Sequence, residues 1–411
     1  MKKRVVVTGM GVITAIGVDI KSFWDSVLSG KSGVKRIRRI DTTDLPVKIA
    51  AEIDNFDPSD LLPGEKISRM DLFSQFAMTA ALEAARDSRL ESDEMGKEKI
   101  GVILGTSVGG IYSHEKAAKD LFTKGYKHVN PLTIPLVINN AAAFHLAAHF
   151  GFIGPNFTIT TACTSASNAI GESYKMIKNG YADVMMTGGA DAPLSPVCLA
   201  AWCKLRALSL QNDDPEGSCK PFSLNRDGLV LGEGAGVLIL EEMDRAIKRN
   251  APIYAEITGY GNNNDAFHLT HPSLDQEVKA MEMAIEDAGI DKNEINYISA
   301  HGTATKINDR TETIAIKSVF GEGAYKIPVS SVKSMVGHTL GASGAIGLIA
   351  TILGMKYNRL PPTINYHVPD PECDLDYVPN KPREANINAA LSNCFGFGGV
   401  NASLIIRKVV N

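Results

Sequence analysis

Three features are missing from this sequence of 411 residues, and each absence excludes a class of protein. None of its six cysteines forms a Cys-x-x-Cys pair, which argues against a zinc site, and so long a chain needs no disulfide framework. The net charge of −4 argues against a general nucleic-acid-binding surface. No stretch approaches the roughly 18 uninterrupted apolar residues of a membrane span. We therefore expect no metal site, no nucleic-acid partner and no membrane insertion.

The first residues, MKKRVVVTGMGVITAIG, resemble a secretory signal because positive residues precede an apolar run. Gly9, Gly11 and Gly17 interrupt that run, and VVVTGMG is more typical of a strand followed by a turn. The sequence therefore predicts a cytoplasmic protein.

Short apolar runs alternate with longer helical patterns along the chain. The runs RVVVTG, KIGVILGT, FTITTA and ADVMMTGG are continuous, as in strands that are buried on both faces. Between them lie helical patterns such as DLFSQFAMTAALEAARDS and SASNAIGESYKMIKNG. This alternation predicts an α/β fold.

A weak internal repeat suggests that the fold is duplicated. The blocks VVVTGMG, GVILGTSVGG, TITTACTSAS and DVMMTGGAD have counterparts in AEITGYGNN, NYISAHGTATK, PVSSVKSMVGHTLGA and AALSNCFGFGGVN. A glycine-rich chain can produce such similarity by coincidence, and that alternative stays open here. Taken at face value, the repeat predicts two similar halves, residues 1–251 and 252–411, which meet near KRNAPIYAE.

Cys163, in TTACTSASNAIG, follows a predicted strand and precedes a predicted helix. A thiol at a helix N-terminus meets unpaired backbone N–H groups, which can lower its pKa below about 8.5 and can stabilise an oxyanion. The alternative is a small buried packing residue. The position makes Cys163 a candidate nucleophile.

Two histidines follow predicted strands in the second half of the chain. His301 lies in SAHGTATKINDR and His338 in KSMVGHTLGASGA, and if the halves are equivalent, His338 faces Cys163 across one crevice. Each histidine could equally be a structural hydrogen-bonding group. A cysteine with two histidines is nevertheless sufficient for nucleophilic catalysis with proton transfer.

Lys333, five residues before His338, is either an exposed turn residue or a buried cation that needs a charged partner. Asp309 and Glu312 are the candidate partners in the second case. Near the C-terminus, NCFGFGGVN places Phe395 and Phe397 among glycines, either as a gate or as a core-facing turn.

Four motifs in this order, TACTS, AHGTATKINDRTE, KSMVGH and NCFGFGGVN, resemble the elongating β-ketoacyl-acyl-carrier-protein synthases of the thiolase superfamily. The similarity runs from VVVTGMGVIT to FGFGG, essentially the whole chain. It implies a thiolase-like five-layered α-β-α-β-α fold made of two duplicated halves. It also implies an assembly of two subunits, either a homodimer or a heterodimer with a homologous chain-length-factor subunit.

The resemblance implies a decarboxylative Claisen condensation between an acyl chain on Cys163 and malonyl-acyl-carrier protein. No cofactor is expected beyond the phosphopantetheine of the acyl carrier protein. The implied roles are catalysis by Cys163, His301, His338 and Lys333; an oxyanion hole from the N–H groups of Cys163 and Phe397, with Phe397 also as gate; substrate contacts from Thr303, Thr305, Phe395 and Thr270; support of Lys333 by Asp309 and Glu312; and carrier-protein docking by Lys66, Arg69 and Arg206.

Two branches of the family fit. TKINDRTET, KSMVGHTLGA, NDDPE and DPECDLDYVP resemble type II polyketide ketosynthases, whereas TACTS and NCFGFGGVN resemble the housekeeping fatty-acid enzyme. The balance favours the polyketide or another specialised pathway. Gly347 departs from the family, which usually has a glutamate there, so the bound cation near that residue is in doubt.

Three other classes remain to be distinguished. A coenzyme A thiolase would carry a second cysteine where this chain has His338, and an initiating synthase would carry an asparagine in place of one histidine. A non-catalytic chain-length-factor subunit normally lacks the nucleophile, so Cys163 argues against that alternative.

Overall fold

The computed structural model describes residues 2–54, 56–60, 64–90 and 96–409. The strands in that part of the chain are β1 Val5–Thr14, β2 Lys35–Arg36, β3 Ile49–Ala50, β4 Ile100–Gly105, β5 Asn156–Ile159, β6 Val184–Asp191, β7 Gly234–Glu242, β8 Ala255–Asn264, β9 Tyr297–Ser299, β10 Val329–Ser330, β11 Arg359–Leu360, β12 Arg383–Glu384, β13 Ala389–Gly396 and β14 Val400–Arg407. The helices are α1 Ile20–Ser29, α2 Gly64–Ile67, α3 Leu72–Asp87, α4 Ile111–Lys124, α5 Thr133–Val137, α6 Ala141–Phe150, α7 Ser165–Lys178, α8 Pro196–Leu205, α9 Met243–Lys248, α10 Leu274–Ala288, α11 Lys306–Phe320, α12 Lys333–Val336 and α13 Ser343–Tyr357.

Ten strands form one sheet, and equivalent strands of the two halves occupy equivalent positions on either side of its centre. The order is β10-β9-β13-β14-β8-β1-β7-β6-β4-β5, so that β1, β7, β6, β4 and β5 of the first half match β8, β14, β13, β9 and β10 of the second. Residues Val5–Val7 of β1 pair with Ala255–Ile257 of β8 and join the two five-stranded halves. The duplication predicted from the four sequence blocks is therefore present in the sheet.

Five layers result from the way the helices pack. Helix α3 covers β1 and β7 on one outer face, and α10 covers β8 and β14 on the other. Helices α7 and α13 contact each other between the two halves of the sheet and touch strands of both. The thiolase-like α-β-α-β-α architecture expected from the sequence is confirmed.

Equivalent side chains make equivalent contacts in the two halves. Asp87 of α3 accepts the backbone N–H of Met10 at 3.0 Å, and Asp287 of α10 accepts that of Tyr260 at 3.2 Å. This match aligns α3 with α10 residue by residue. The buried Ala77 on α3 therefore corresponds to the buried Glu277 on α10.

The local signals place most elements where the sequence predicts them. Helix α3 begins after Asp71, whose side chain accepts the N–H of Phe73, and the left-handed Gly180 follows the end of α7. The prediction was wrong for the burial of β5, where Asn156 and Phe157 are exposed. The reason is that β5 lies at the edge of the sheet and pairs only with β4.

One segment, Leu340–Tyr357, has the length and composition of a membrane span, with 18 residues and a mean hydropathy of 1.3. Within this protein 83% of the segment is buried, because α13 lies in the central helical layer. Its apolar character is therefore that of a core helix.

Candidate active site

Cys163 lies in a tight turn between β5 and α7. The 3₁₀ turn Ala162–Thr164 runs directly into the helix, so the thiol stands at a helix N-terminus, as predicted. Ala162 has a left-handed φ of 51°, a conformation that costs about 1–3 kcal/mol outside glycine. The hydroxyls of Ser165 and Ser107 hold the turn by donating to the Ala162 carbonyl at 2.6 and 2.7 Å.

His338 reaches Cys163 from the opposite half of the molecule. Its Nε2 lies 3.2 Å from the Cys163 Sγ. The backbone N–H of Leu340 donates to His338 Nδ1 at 3.3 Å, which places the proton of the neutral imidazole on Nε2. Nε2 is therefore a hydrogen-bond donor directed at the sulfur and at any acyl group attached to it.

His301 completes the group from the end of β9. Its ring stands nearly perpendicular to that of His338, with the centroids 5.4 Å apart, and Phe395 packs edge-on against it at 6.0 Å. The sulfur of Cys163 and one nitrogen of each histidine lie within 4.8 Å of one another. Among the described residues this is the cluster whose donor atoms are close enough to hold a metal ion, and it also provides a nucleophile with two hydrogen-bonding imidazoles.

Burial controls the protonation of these groups. Burial, and next the neighbouring Cys394, raise the pKa of Cys163 to about 12, against the opposing effects of the Phe397 N–H and the Lys333 charge. The expectation of a lowered thiol pKa was therefore wrong in direction, because desolvation outweighs the helix N-terminus. Burial and then the charge of Lys333 hold the pKa of both His301 and His338 well below its usual value, so both imidazoles are neutral.

Lys333 is buried, with 6% of its surface exposed, and its Nζ donates to the His301 carbonyl at 2.6 Å. The expected support by Asp309 and Glu312 takes a different form. Glu312 accepts the backbone N–H groups of His301 and Gly302, each at 2.8 Å. The carboxylates therefore fix the His301 loop directly and act on Lys333 only through the electric field.

Asp309 anchors the same loop from the other side. It accepts the N–H groups of Thr303 at 3.1 Å and Phe222 at 2.7 Å, and it pairs with Arg226 at 3.5 Å. Burial raises the pKa of the neighbouring Glu312 to about 7, although two backbone N–H groups oppose the shift.

A cavity of about 390 Å³ leads from the surface to Cys163. Thr303 and Thr305, whose hydroxyls are 2.9 Å apart, line one side together with Thr270 from the facing loop. Arg206 lies exposed at the cavity wall, where it ends α8. Hydroxyl groups and two cationic residues, Arg206 and Lys306, therefore line the approach to the sulfur.

Phe397 stands in the turn between β13 and β14, and its ring lines the same cavity. Its backbone N–H lowers the pKa of the Cys163 thiol, which indicates that the N–H is directed at the sulfur. The turn is tied to the loop that carries Thr270, because the Gly398 N–H donates to the Leu269 carbonyl at 2.8 Å. The turn that carries Phe397 and the loop that carries Thr270 are therefore joined by a backbone hydrogen bond.

The two other docking candidates are on the surface of the first half. Lys66 lies in α2 and is exposed, and Arg69 is exposed and bonded to Glu65 at 2.7 Å. Neither lines the cavity that contains Cys163.

Residues 2–246 match the family described as β-ketoacyl synthase, N-terminal domain, and residues 254–367 match its C-terminal domain. The chain belongs to the β-ketoacyl synthase family.

Individual members of the family align over nearly the full chain. A Staphylococcus aureus protein named 3-oxoacyl-[acyl-carrier-protein] synthase 2 is 45% identical over 99% of this chain and 98% of its own length. The ishigamide ketosynthase/chain length factor superposes with a TM-score of 0.94 at 33% identity, covering all of both chains. A type II polyketide ketosynthase solved with its acyl-carrier protein superposes with a TM-score of 0.93 at 35% identity, also over both full chains.

Gly347 leaves a small space where this β-ketoacyl synthase lacks the usual glutamate. A cavity of about 10 Å³, room for roughly one water molecule, is lined by Gly347, Ser299, Ser392 and Lys333, among others. With an ammonium group in the wall and a glycine in place of the carboxylate, these residues do not fit a bound cation.

Sequence reasoning missed Asp191, the last residue of β6. This buried carboxylate accepts the Thr106 hydroxyl at 2.6 Å, the N–H groups of Ser107 at 2.8 Å and Val108 at 3.2 Å, and the N–H of Gly341 at 2.6 Å. It thereby ties the start of α13 to the loop after β4, beside the Cys163 turn. The only sequence signal was an aspartate that ends the apolar run DVMMTGGAD.

Proposed function

We propose that this protein is a β-ketoacyl-acyl-carrier-protein synthase that acts through Cys163. The observation that carries the proposal is the 3.2 Å contact between the Cys163 Sγ and a His338 Nε2 that bears a proton, with His301 beside it in one cavity. A nucleophile with two neutral hydrogen-bond donors suits acyl transfer followed by stabilisation of an enolate.

In the first step Cys163 takes the acyl chain from the carrier protein. Its sulfur forms a bond to the thioester carbonyl carbon, the bond to the pantetheine sulfur breaks, and the thiol proton passes to the departing sulfur. The N–H groups of Cys163 and Phe397 stabilise the oxyanion, which is consistent with the lowering effect of the Phe397 N–H on the pKa of the thiol. Thr303, Thr305 and Thr270 hold the pantetheine arm at the entrance.

In the second step malonyl-acyl-carrier protein loses CO₂. The electron pair of the broken carbon–carbon bond forms an enolate, whose oxygen accepts hydrogen bonds from His301 and His338. The enolate carbon then bonds to the acyl carbonyl carbon, and Cys163 leaves as a thiolate that takes up one proton. Lys333 holds the His301 loop through the carbonyl contact, and burial together with the Lys333 charge lowers the pKa of both imidazoles and keeps them neutral.

The acyl carrier protein is the proposed partner, with Lys66, Arg69 and Arg206 as its docking cations. Their exposure supports this role, and Arg206 stands at the cavity itself. We propose residues 1–251 and 252–411 as the two duplicated halves, and a pair of homologous or identical subunits as the assembly. All six cysteines are free, which supports a reducing, cytoplasmic location.

Two pathways are candidates for this chemistry. The motifs of the second half favour a type II polyketide or other specialised pathway. The identity of 45% to a protein named 3-oxoacyl-[acyl-carrier-protein] synthase 2, against 35% to a type II polyketide ketosynthase, favours housekeeping fatty-acid elongation. The mass of the products made with each carrier protein decides between them.

Replacement of the nucleophile tests the proposal. We expect Cys163→Ala to lower condensation by at least about a thousandfold, because the covalent intermediate is lost, while decarboxylation of malonyl-acyl-carrier protein continues. Cys198→Ala, which changes a half-buried cysteine on α8, is the control and retains turnover. Normal chain elongation by Cys163→Ala, measured by product mass, would show that the covalent mechanism is wrong.

A further inference from the structure

Trp202 forms an aromatic stack with Phe397 beside the reactive sulfur. The ring centroids are 5.6 Å apart and the planes differ by 25°. Both rings line the cavity that contains Cys163. Trp202 lies in the last turn of α8 and packs against the apolar cluster that includes Leu199 and Leu340. The indole is therefore supported by apolar packing as well as by the stack with Phe397.

Phe397, in contrast, lies in the glycine-rich turn between β13 and β14. Gly398 and Gly399 follow it with left-handed φ values of 82° and 70°, and a side chain at Gly398 would meet no atom within 4 Å. The ring of Phe397 lines the cavity beside the sulfur, and its backbone N–H lowers the pKa of the Cys163 thiol. The stack consequently controls the space beside the sulfur.

We propose that Trp202 sets the acyl length accepted on Cys163 and holds the Phe397 gate in its closed position. A short acyl chain fits beside the sulfur with the stack intact. A longer chain has to separate the two rings, which costs their contact. Trp202 is in this view a positioning and length-determining residue, and the inference rests on the proposed acylation of Cys163.

A series of acyl thioesters tests the length limit. Acylation of Cys163 by acetyl, hexanoyl, decanoyl and palmitoyl carrier protein is followed by intact mass, with the site confirmed on the Cys163 peptide. We expect Trp202→Ala to raise the decanoyl-to-hexanoyl rate ratio by at least about tenfold, and Trp202→Phe, which keeps a ring, to raise it less. Val197→Ala, an exposed position on α8 outside the cavity, is the matched control and leaves the ratio unchanged.

Tryptophan fluorescence distinguishes a Trp202 that holds the Phe397 gate from a Trp202 with a merely structural role. The chain has two tryptophans, and Trp24 is buried in the core against Tyr357. In a Trp24→Phe background the emission therefore reports Trp202 alone. We expect decanoyl acylation to change that emission, because the stack opens, and acetyl acylation to leave it nearly unchanged.

The outcomes are distinct. An unchanged rate ratio in Trp202→Ala, or an emission that does not depend on chain length, would overturn the role of Trp202 while Cys163 acylation stands. Absence of Cys163 acylation with every thioester in the wild-type protein would overturn the proposed function and this inference with it.

Discussion

The two halves of the chain build the same turn twice, and one of the two carries the thiol. Ala162–Thr164 runs into α7 and Leu340–Ala342 runs into α13, and their first residues have φ values of 51° and 46°. Cys163 therefore corresponds to Gly341. A Cβ at Gly341 would come within 2.6 Å of the Asp191 carboxylate, so the second turn has no room for a side chain there.

The presence of Cys163 in one turn and Gly341 in the other shows how a duplicated fold can carry an asymmetric site. The first half places a sulfur at its turn, whereas the second packs its turn against the first half and contributes His338 from three positions earlier. A second comparison concerns the outer helices, where Ala77 lies in an apolar core and Glu277 has no hydrogen-bond partner for either oxygen. Three predictions test these two contrasts.

The largest expected effect concerns the thiol itself. Because the pKa of Cys163 is raised to about 12, the thiolate fraction should rise about tenfold for each pH unit from about 7 to 10. We expect the rate of alkylation by iodoacetamide, measured at the Cys163 peptide, to follow that slope without a plateau. A free cysteine derivative is the control and levels off above about pH 8.5. A plateau near neutral pH would show that the helix N-terminus outweighs burial after all.

Removal of Asp191 should damage the packing of the second turn against the first half. We expect Asp191→Ala to lower the free energy of unfolding by at least about 3 kcal/mol, because two buried and two partly buried donors lose their acceptor, at about 1–3 kcal/mol for each buried one. Asp183→Ala, which removes a partly exposed pair with Lys3, should cost less than about 1 kcal/mol in the same denaturant titration. Equal losses of unfolding free energy in Asp191→Ala and Asp183→Ala would show that the hydrogen bonds of Asp191 contribute no more than those of a partly exposed residue.

The smallest effect concerns Glu277. Burial raises the pKa of its carboxyl well above the ordinary value, and Glu312 and Asp265 add to the shift. The folded state therefore keeps a proton that the unfolded chain releases above about pH 4.5. Stability consequently falls as pH rises through the interval between the two pKa values, by up to about 1.4 kcal/mol per pH unit.

Glu277→Gln should flatten that part of the pH dependence of unfolding. Glu282→Gln, an exposed change on the same helix, is the matched control and should leave the slope as in the wild type. An unchanged slope in Glu277→Gln would contradict a protonated Glu277.

The sequence was sufficient for features that depend on local order. The four pairs of blocks predicted the duplicated sheet, and the residues around Cys163 predicted a turn into a helix that faces His338. The contacts of Asp309 and Glu312 were not predictable, because they depend on Phe222, Arg226 and backbone groups from distant elements. The direction of the Cys163 pKa shift was missed for a related reason, since complete burial arises from both halves together.

The central position of β1 has a consequence for biosynthesis. Strand β1 lies between β7 and β8 and precedes both in the chain, so its first hydrogen-bonding partner is absent until about residue 242 has been synthesised. Until then Val5, Val6 and Val7 form an unpaired apolar segment, and the sheet closes late through contacts that are far apart in the chain. Such a nascent chain should fold slowly and depend on chaperone protection during translation.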